Sequence, residues 1–212
     1  MTNFIPIFPL SIVVFPGEKL NLHIFEPRYK QLIKDCFENK KPFGIPAIIG
    51  EKAIELGTLV EIVEISKIYD DGKMDIKTKG VSVFKILEII KDLPDKLYSG
   101  AIVSYLNNYN NGSRNMMHKI IEDTRALHQH IEVNKNFGKP DEELISFDIA
   151  HHVGMTSEQE YQLLEYENEL HRQEYIKRHL ANILPVVKEM ESLKKKIRLN
   201  GHFKNLEGFN LS

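Results

Sequence analysis

Between Asn107 and Ser113 the apolar residues change their period, and that change limits the fold more than any other feature. The stretch Asn107-Asn108-Tyr109-Asn110-Asn111-Gly112-Ser113 is polar and turn-forming. Before it, short apolar runs alternate with polar residues, the period of a strand with one buried face. After it, apolar residues recur three and four positions apart, the period of a helix. A chain that segregates strands from helices in this way reads as α+β. The expected units are a β-rich subdomain over 1–112, a helical bundle over 113–199 and a loose tail over 200–212.

In the first half, Phe4–Leu10 reads as a strand held to an edge by Pro6 and Pro9, which cannot donate to a ladder. Ile12–Phe15 is a second short apolar run, and Pro16-Gly17 is a turn. Leu20, Leu22 and Ile24 alternate with Asn21 and His23. Glu26-Pro27 opens a helix, with Pro27 at its first position, where a missing N–H is harmless. Tyr29, Leu32, Ile33, Cys36 and Phe37 give it one apolar face up to about Asn39, with Cys36 as a small core residue. Strands follow at Phe43–Ile49 and Gly57–Ile68, then a hairpin turn at Asp70-Asp71-Gly72. Met74–Thr78 returns, Gly80 starts a further strand through Ile90, and Leu97–Leu106 is the last. Six or more strands with one early helix predict a barrel or curled sheet.

In the second half, Met116, Met117, Ile120, Ile121, Leu127 and Ile131 form a helical stripe closed by Gly138 and Pro140. Leu144–Val153 reads as a short helix stopping at Gly154, and Ser157 with Glu160 has capping-box spacing. Ile176, Leu180, Ile183, Val187 and Met190 make a heptad-like seam in a last helix, read as covering helices of the same chain. Pro185 predicts a kink or break in it, and Asn200-Gly201 its end.

The 212 residues carry a net charge of −2, which argues against a nucleic-acid binder working by bulk phosphate attraction. One cysteine allows no internal disulfide and fits a reducing compartment. With no signal-peptide pattern and no apolar run of membrane-spanning length, the chain reads as cytoplasmic, without a membrane partner. Gly72-Lys73 and Gly138-Lys139 lack the Ser/Thr and glycine spacing of a phosphate loop. His128, His130, His151 and His152 are spaced wrongly for two rings on one helix face, so they read as surface or packing residues and not as metal ligands. No cofactor is expected. Lys194-Lys195-Lys196 complements a helix C-terminus.

The N-terminal motifs carry a resemblance. Ile5-Pro6-Ile7-Phe8-Pro9-Leu10, then Val14-Phe15-Pro16-Gly17, then Leu22-His23-Ile24-Phe25-Glu26-Pro27-Arg28-Tyr29 closely resemble the opening of the Lon protease N-terminal (substrate-binding) domain family. The resemblance covers about residues 4 to 199 and implies a PUA-like pseudo-barrel followed by a helical bundle. No ATPase or Ser–Lys peptidase motif accompanies it, so the chain resembles a stand-alone Lon-domain protein and no enzymatic activity is expected. The implied function is binding of unfolded or specific client proteins, as an adaptor or accessory to a protease or chaperone. Phe15, Pro16, His23, Phe25 and Tyr29 are the candidate residues bordering a polypeptide groove. The alternative that the fold implies is an RNA-binding PUA-like protein.

Overall fold

The structure, a computed structural model, describes residues 2–50 and 55–206, with residue 2 and residues 198–206 described by their backbone alone. It is α+β, as expected. Six strands form one antiparallel sheet: β1 (Thr2–Pro6), β2 (Lys19–Ile24), β3 (Phe43–Pro46), β4 (Leu56–Ile68), β5 (Met74–Ile90) and β6 (Gly100–Tyr105). Their order is β1-β6-β5-β4-β3, with β2 paired to β5. Beyond β1, Ile7 bridges Gly44 and Leu10 bridges Ala47, bringing the two outer strands together and curling the sheet towards a barrel.

Gly80 does not start a new strand. β5 runs straight through it and changes partners there, from β2 before it to β6 after it. Only a glycine fits, because a Cβ would overlap the carbonyl oxygen of Phe15. That approach lets Gly17 N–H donate to Gly80 O (2.9 Å) and Gly80 N–H donate to Glu18 O (2.8 Å).

Helix α1 (Pro27–Glu38) lies over the sheet, burying Tyr29, Leu32, Ile33 and Cys36. Phe37, expected on the same face, is instead 46% exposed. Helices α2 (Arg114–His130), α3 (Ser146–Ile149), α4 (Ser157–Glu165) and α5 (Glu169–Leu206) form the second half. The expected single helix from Leu144 to Val153 is instead the one-turn α3 followed by a 3-10 turn at Ala150–His152, and a separate 3-10 turn at Asp141–Glu143 precedes it. The box that starts α4 is formed by Thr156 and Gln159, one residue earlier than Ser157 and Glu160. Glu160 is thereby released to bond His151. α5 is unbroken through Pro185 and passes Asn200-Gly201, so neither a break nor an end occurs there. The expected looseness of the remaining tail falls on residues 207–212, outside those described.

Three apolar clusters hold the described residues together. One fills the curled sheet, around Ile5, Leu59, Phe84 and Val103. A second lies beneath α1 and includes Phe8, Val14, Ile33, Val60 and Ile76. The largest joins both halves: Val13, Phe15, Ile49, Leu56 and Val83 meet Ile120, Phe147, Ile149, Leu163, Ile176 and Leu180. The Ile12–Phe15 run is therefore a strap between two cores and not a strand. Val14 enters the cluster beneath α1, while Val13 and Phe15 enter the shared one.

Candidate functional site

The five expected groove residues do not share a surface. Phe15 is fully buried and stacks on Phe147 at 5.2 Å, and Pro16 is buried beside it. Tyr29 is buried in the separate cluster beneath α1, stacked on Phe8 at 3.9 Å. These three do core work. His23 and Phe25 remain exposed, Phe25 at 58%. They sit near the tip of the β4–β5 hairpin, where His23 Nδ1 lies 2.7 Å from Asp75 Oδ1 and the Tyr69 hydroxyl donates to Asp75 Oδ2 (2.8 Å). Those two hydrogen bonds hold the Asp75 carboxyl below the usual carboxylate range.

The concave apolar site lies elsewhere. Between the C-terminal end of α1 and the sheet is a cleft of about 430 Å³, with Cys36, Phe37, Leu59, Ile62 and Val81 as apolar lining and Lys40, Lys41 and Glu61 around it. Its size is that of a site for a few side chains. Val81 stands in it because the β4–β5 register slips between Leu59 and Val60, leaving Val81 as the extra residue and 48% exposed. Lys40 is set by the helix end. Lys41 N–H donates to Cys36 O (2.9 Å) and Lys40 N–H to Phe37 O (3.3 Å), the bond pair of a Schellman ending. That ending needs a left-handed residue, and Lys40 supplies it at φ 51°, where glycine is usual. Burial pushes the Cys36 thiol up to about 12, so it lines the site as an inert apolar group.

Sequence reading missed this cleft, because Phe37 has the right spacing for the core and Val81 reads as an ordinary strand residue. The signal available was Lys40, a residue at a helix end that lacks a glycine.

Two polar assemblies lack a reactive geometry, one within the helical half and one joining it to the sheet half. Buried Glu169 accepts from Ser146 N–H and Oγ (2.8 Å each) and from Arg172 Nε (3.0 Å). His151 is held between Glu160 (2.8 Å) and Glu18 (3.2 Å). Burial opposes charge on His151, but the hydrogen bonds it donates to the Glu160 and Glu18 carboxylates outweigh that and raise its pKa to about 9. His128 bonds the His152 carbonyl and His130 bonds Glu191. Among the described residues no group of three His, Cys, Asp or Glu is placed to hold a metal, and no helix is long and apolar enough to cross a membrane.

Comparison with known proteins gives consistent results. The family model for the ATP-dependent protease La (LON) substrate-binding domain matches residues 5–185. A LON peptidase N-terminal domain and RING finger protein of Schizosaccharomyces pombe is 27% identical over 109 residues, 42% of this chain and 22% of that relative. Similar solved structures include a Lon N-terminal domain protein from Xanthomonas campestris, with TM-score 0.60, 22% identity, and coverage of 81% of this chain and 95% of that one. The N-terminal domain of Mycobacterium avium complex Lon protease is also similar, with TM-score 0.60, 14% identity, and coverage of 84% and 98%. At these identities the two structures speak to the fold alone.

Proposed function

This chain belongs to the ATP-dependent protease La (Lon) substrate-binding domain family, and from that premise we propose that it binds extended or unfolded segments of client proteins in the cleft between α1 and the sheet. The observation that carries this reading is the cleft itself. Phe37 and Val81 are about half exposed beside buried Leu59, an arrangement that wastes apolar surface unless an apolar side chain fills it. Lys40 and Lys41 outnumber Glu61 around the cleft, so the rim favours segments with acidic flanks. His23 and Phe25 offer a second contact for the same chain. In this reading the protein acts in the cytoplasm as an adaptor or accessory that delivers clients to a protease or chaperone.

The test is binding of one model client in folded and chemically unfolded forms, at concentrations up to about 100 μM, the range of weak recognition. The unfolded form binds more tightly, and Phe37→Ser weakens that binding about tenfold while leaving the fold intact, since Phe37 is a surface residue. Equal binding of both forms defeats the proposal. So does an affinity directed at RNA that falls steeply with salt.

A further inference from the structure

We propose that the exposed stripe Val186, Met190, Leu193 and Ile197 on α5 is an interface between two copies of this chain, with the two helices paired antiparallel. The four residues are 54%, 55%, 58% and 62% exposed. Their spacings of four, three and four are those of a coiled-coil seam. At 3.6 residues per turn they fall within about 60° of one another on the helix surface.

This stripe is separate from the part of α5 that packs at home. Ile176 and Leu180 are buried, and Ile183 and Val187 are half-buried, all in the shared core. They lie on a face turned by about 80° from the stripe. α2 ends at His130, whose ring bonds Glu191 on that inner side (2.7 Å). Leu193 and Ile197 lie past that contact, where nothing among the described residues covers them.

Charge selects the occupant and its direction. Along this segment the acidic residues come first, at Glu189 and Glu191, and the basic ones follow, at Lys194, Lys195 and Lys196. Glu191 is used within the chain by His130 and Lys195. Glu189 and Lys196 flank the same side of the stripe, and both side chains are exposed. A second copy laid antiparallel, with its two-fold axis between Met190 and Leu193, brings each Glu189 to the other copy's Lys196. A parallel copy instead stacks the lysine triplets side by side. The segment is thus complementary to its own reverse, which is the requirement of a two-fold interface.

The experiment uses the 212-residue chain. Sedimentation equilibrium shows a monomer–dimer equilibrium between about 1 and 100 μM, as expected of a small interface. Leu193→Glu combined with Ile197→Glu abolishes the dimer without changing helical content, because both residues are exposed. Glu189→Lys alone weakens association at least tenfold, as does Lys194→Glu with Lys196→Glu; mixing the two variants restores it. For direction, spin labels are placed at Arg178→Cys, since Cys36 is buried and does not react. They read about 40 Å apart in the antiparallel pair, from the 1.5 Å rise per residue. A monomer at 100 μM, a dimer that survives the Leu193/Ile197 change, or labels within about 20 Å overturns the proposal.

Discussion

The guanidinium carbon of Arg172 lies 4.3 Å from the ring centroid of Phe147, and the same group reaches the Tyr166 carbonyl (2.6 Å), Asn108 Oδ1 (2.7 Å) and Glu169 (3.0 Å). It is 1% exposed. One arginine therefore pins the asparagine-rich boundary to the start of α5. Arg172→Met leaves the Glu169 carboxylate buried with its charge uncompensated, which costs about 3–5 kcal/mol. Urea unfolding measures this, and Glu169→Gln added to Arg172→Met recovers part of the loss because the two residues act as a unit. A loss below about 1 kcal/mol for Arg172→Met counts against the role assigned to it.

Gly80→Ala is expected to destabilise by about 2–3 kcal/mol although alanine suits a strand no worse than glycine does. The added methyl meets the Phe15 backbone, which cannot swing aside because Val13 and Phe15 are locked in the shared core. Thermal unfolding checks it; a neutral or stabilising change shows that the Phe15–Gly17 strap is looser than described.

His151 makes stability depend on pH. Its folded pKa of about 9 stands above the ordinary value of 6.5. The charged form is the bonded one, so its contribution is complete below about pH 6.5 and is lost as pH rises through 9. The side chain is 34% exposed, so solvent screening keeps the contribution near 1 kcal/mol. The unfolding free energy falls over that window in the parent protein, and His151→Gln flattens the fall. NMR titration of the imidazole gives the pKa directly; a value near 6.5 removes the prediction.

Much of the fold is legible in residue spacing. The change of period at Asn107 does mark the end of the last strand, Pro27 does open α1, and Gly72 does close the β4–β5 hairpin. What spacing does not reveal is which neighbour covers an apolar residue. Phe15 and Phe25 look equivalent in the sequence, yet the shared core takes Phe15 and leaves Phe25 in water. Phe37 keeps helical spacing with Ile33, four residues before it, but falls where α1 overhangs the sheet. Ser157 and Thr156 are equally good caps by residue type, and spacing alone does not show that the box closes on Gln159 while Glu160 bonds His151. The Glu169–Arg172 pair was invisible for a related reason: an ordinary helical Glu-x-x-Arg spacing does not say whether it faces solvent or core.

Pro185 lies inside α5 and exposed, so it removes a helical hydrogen bond without contributing to the core. Pro185→Ala restores the bond to the Ala181 carbonyl and relieves a clash there, worth up to about 3 kcal/mol to the helix. The gain is local to the last turns. Amide exchange slows for backbone positions after 185 and changes little in β5. Uniform slowing across both elements shows instead that α5 unfolds together with the sheet.

Lys40 sets stability against recognition. Its left-handed backbone at φ 51° costs about 1 kcal/mol that a glycine does not incur. Lys40→Gly is therefore expected to raise the unfolding free energy by about 0.5–1 kcal/mol. It also removes one of the two cations beside the cleft, and an exposed pair of this kind is worth up to about 1 kcal/mol. Binding of an unfolded client with acidic flanks should weaken about threefold at low salt, and the difference between variant and parent should shrink as salt screens the rim. Lys40→Asn separates the two effects, because asparagine tolerates the left-handed conformation and carries no charge. If the glycine variant is more stable and binds as tightly as the parent at every salt concentration, the strained lysine has no part in recognition and the cleft works through its apolar lining alone.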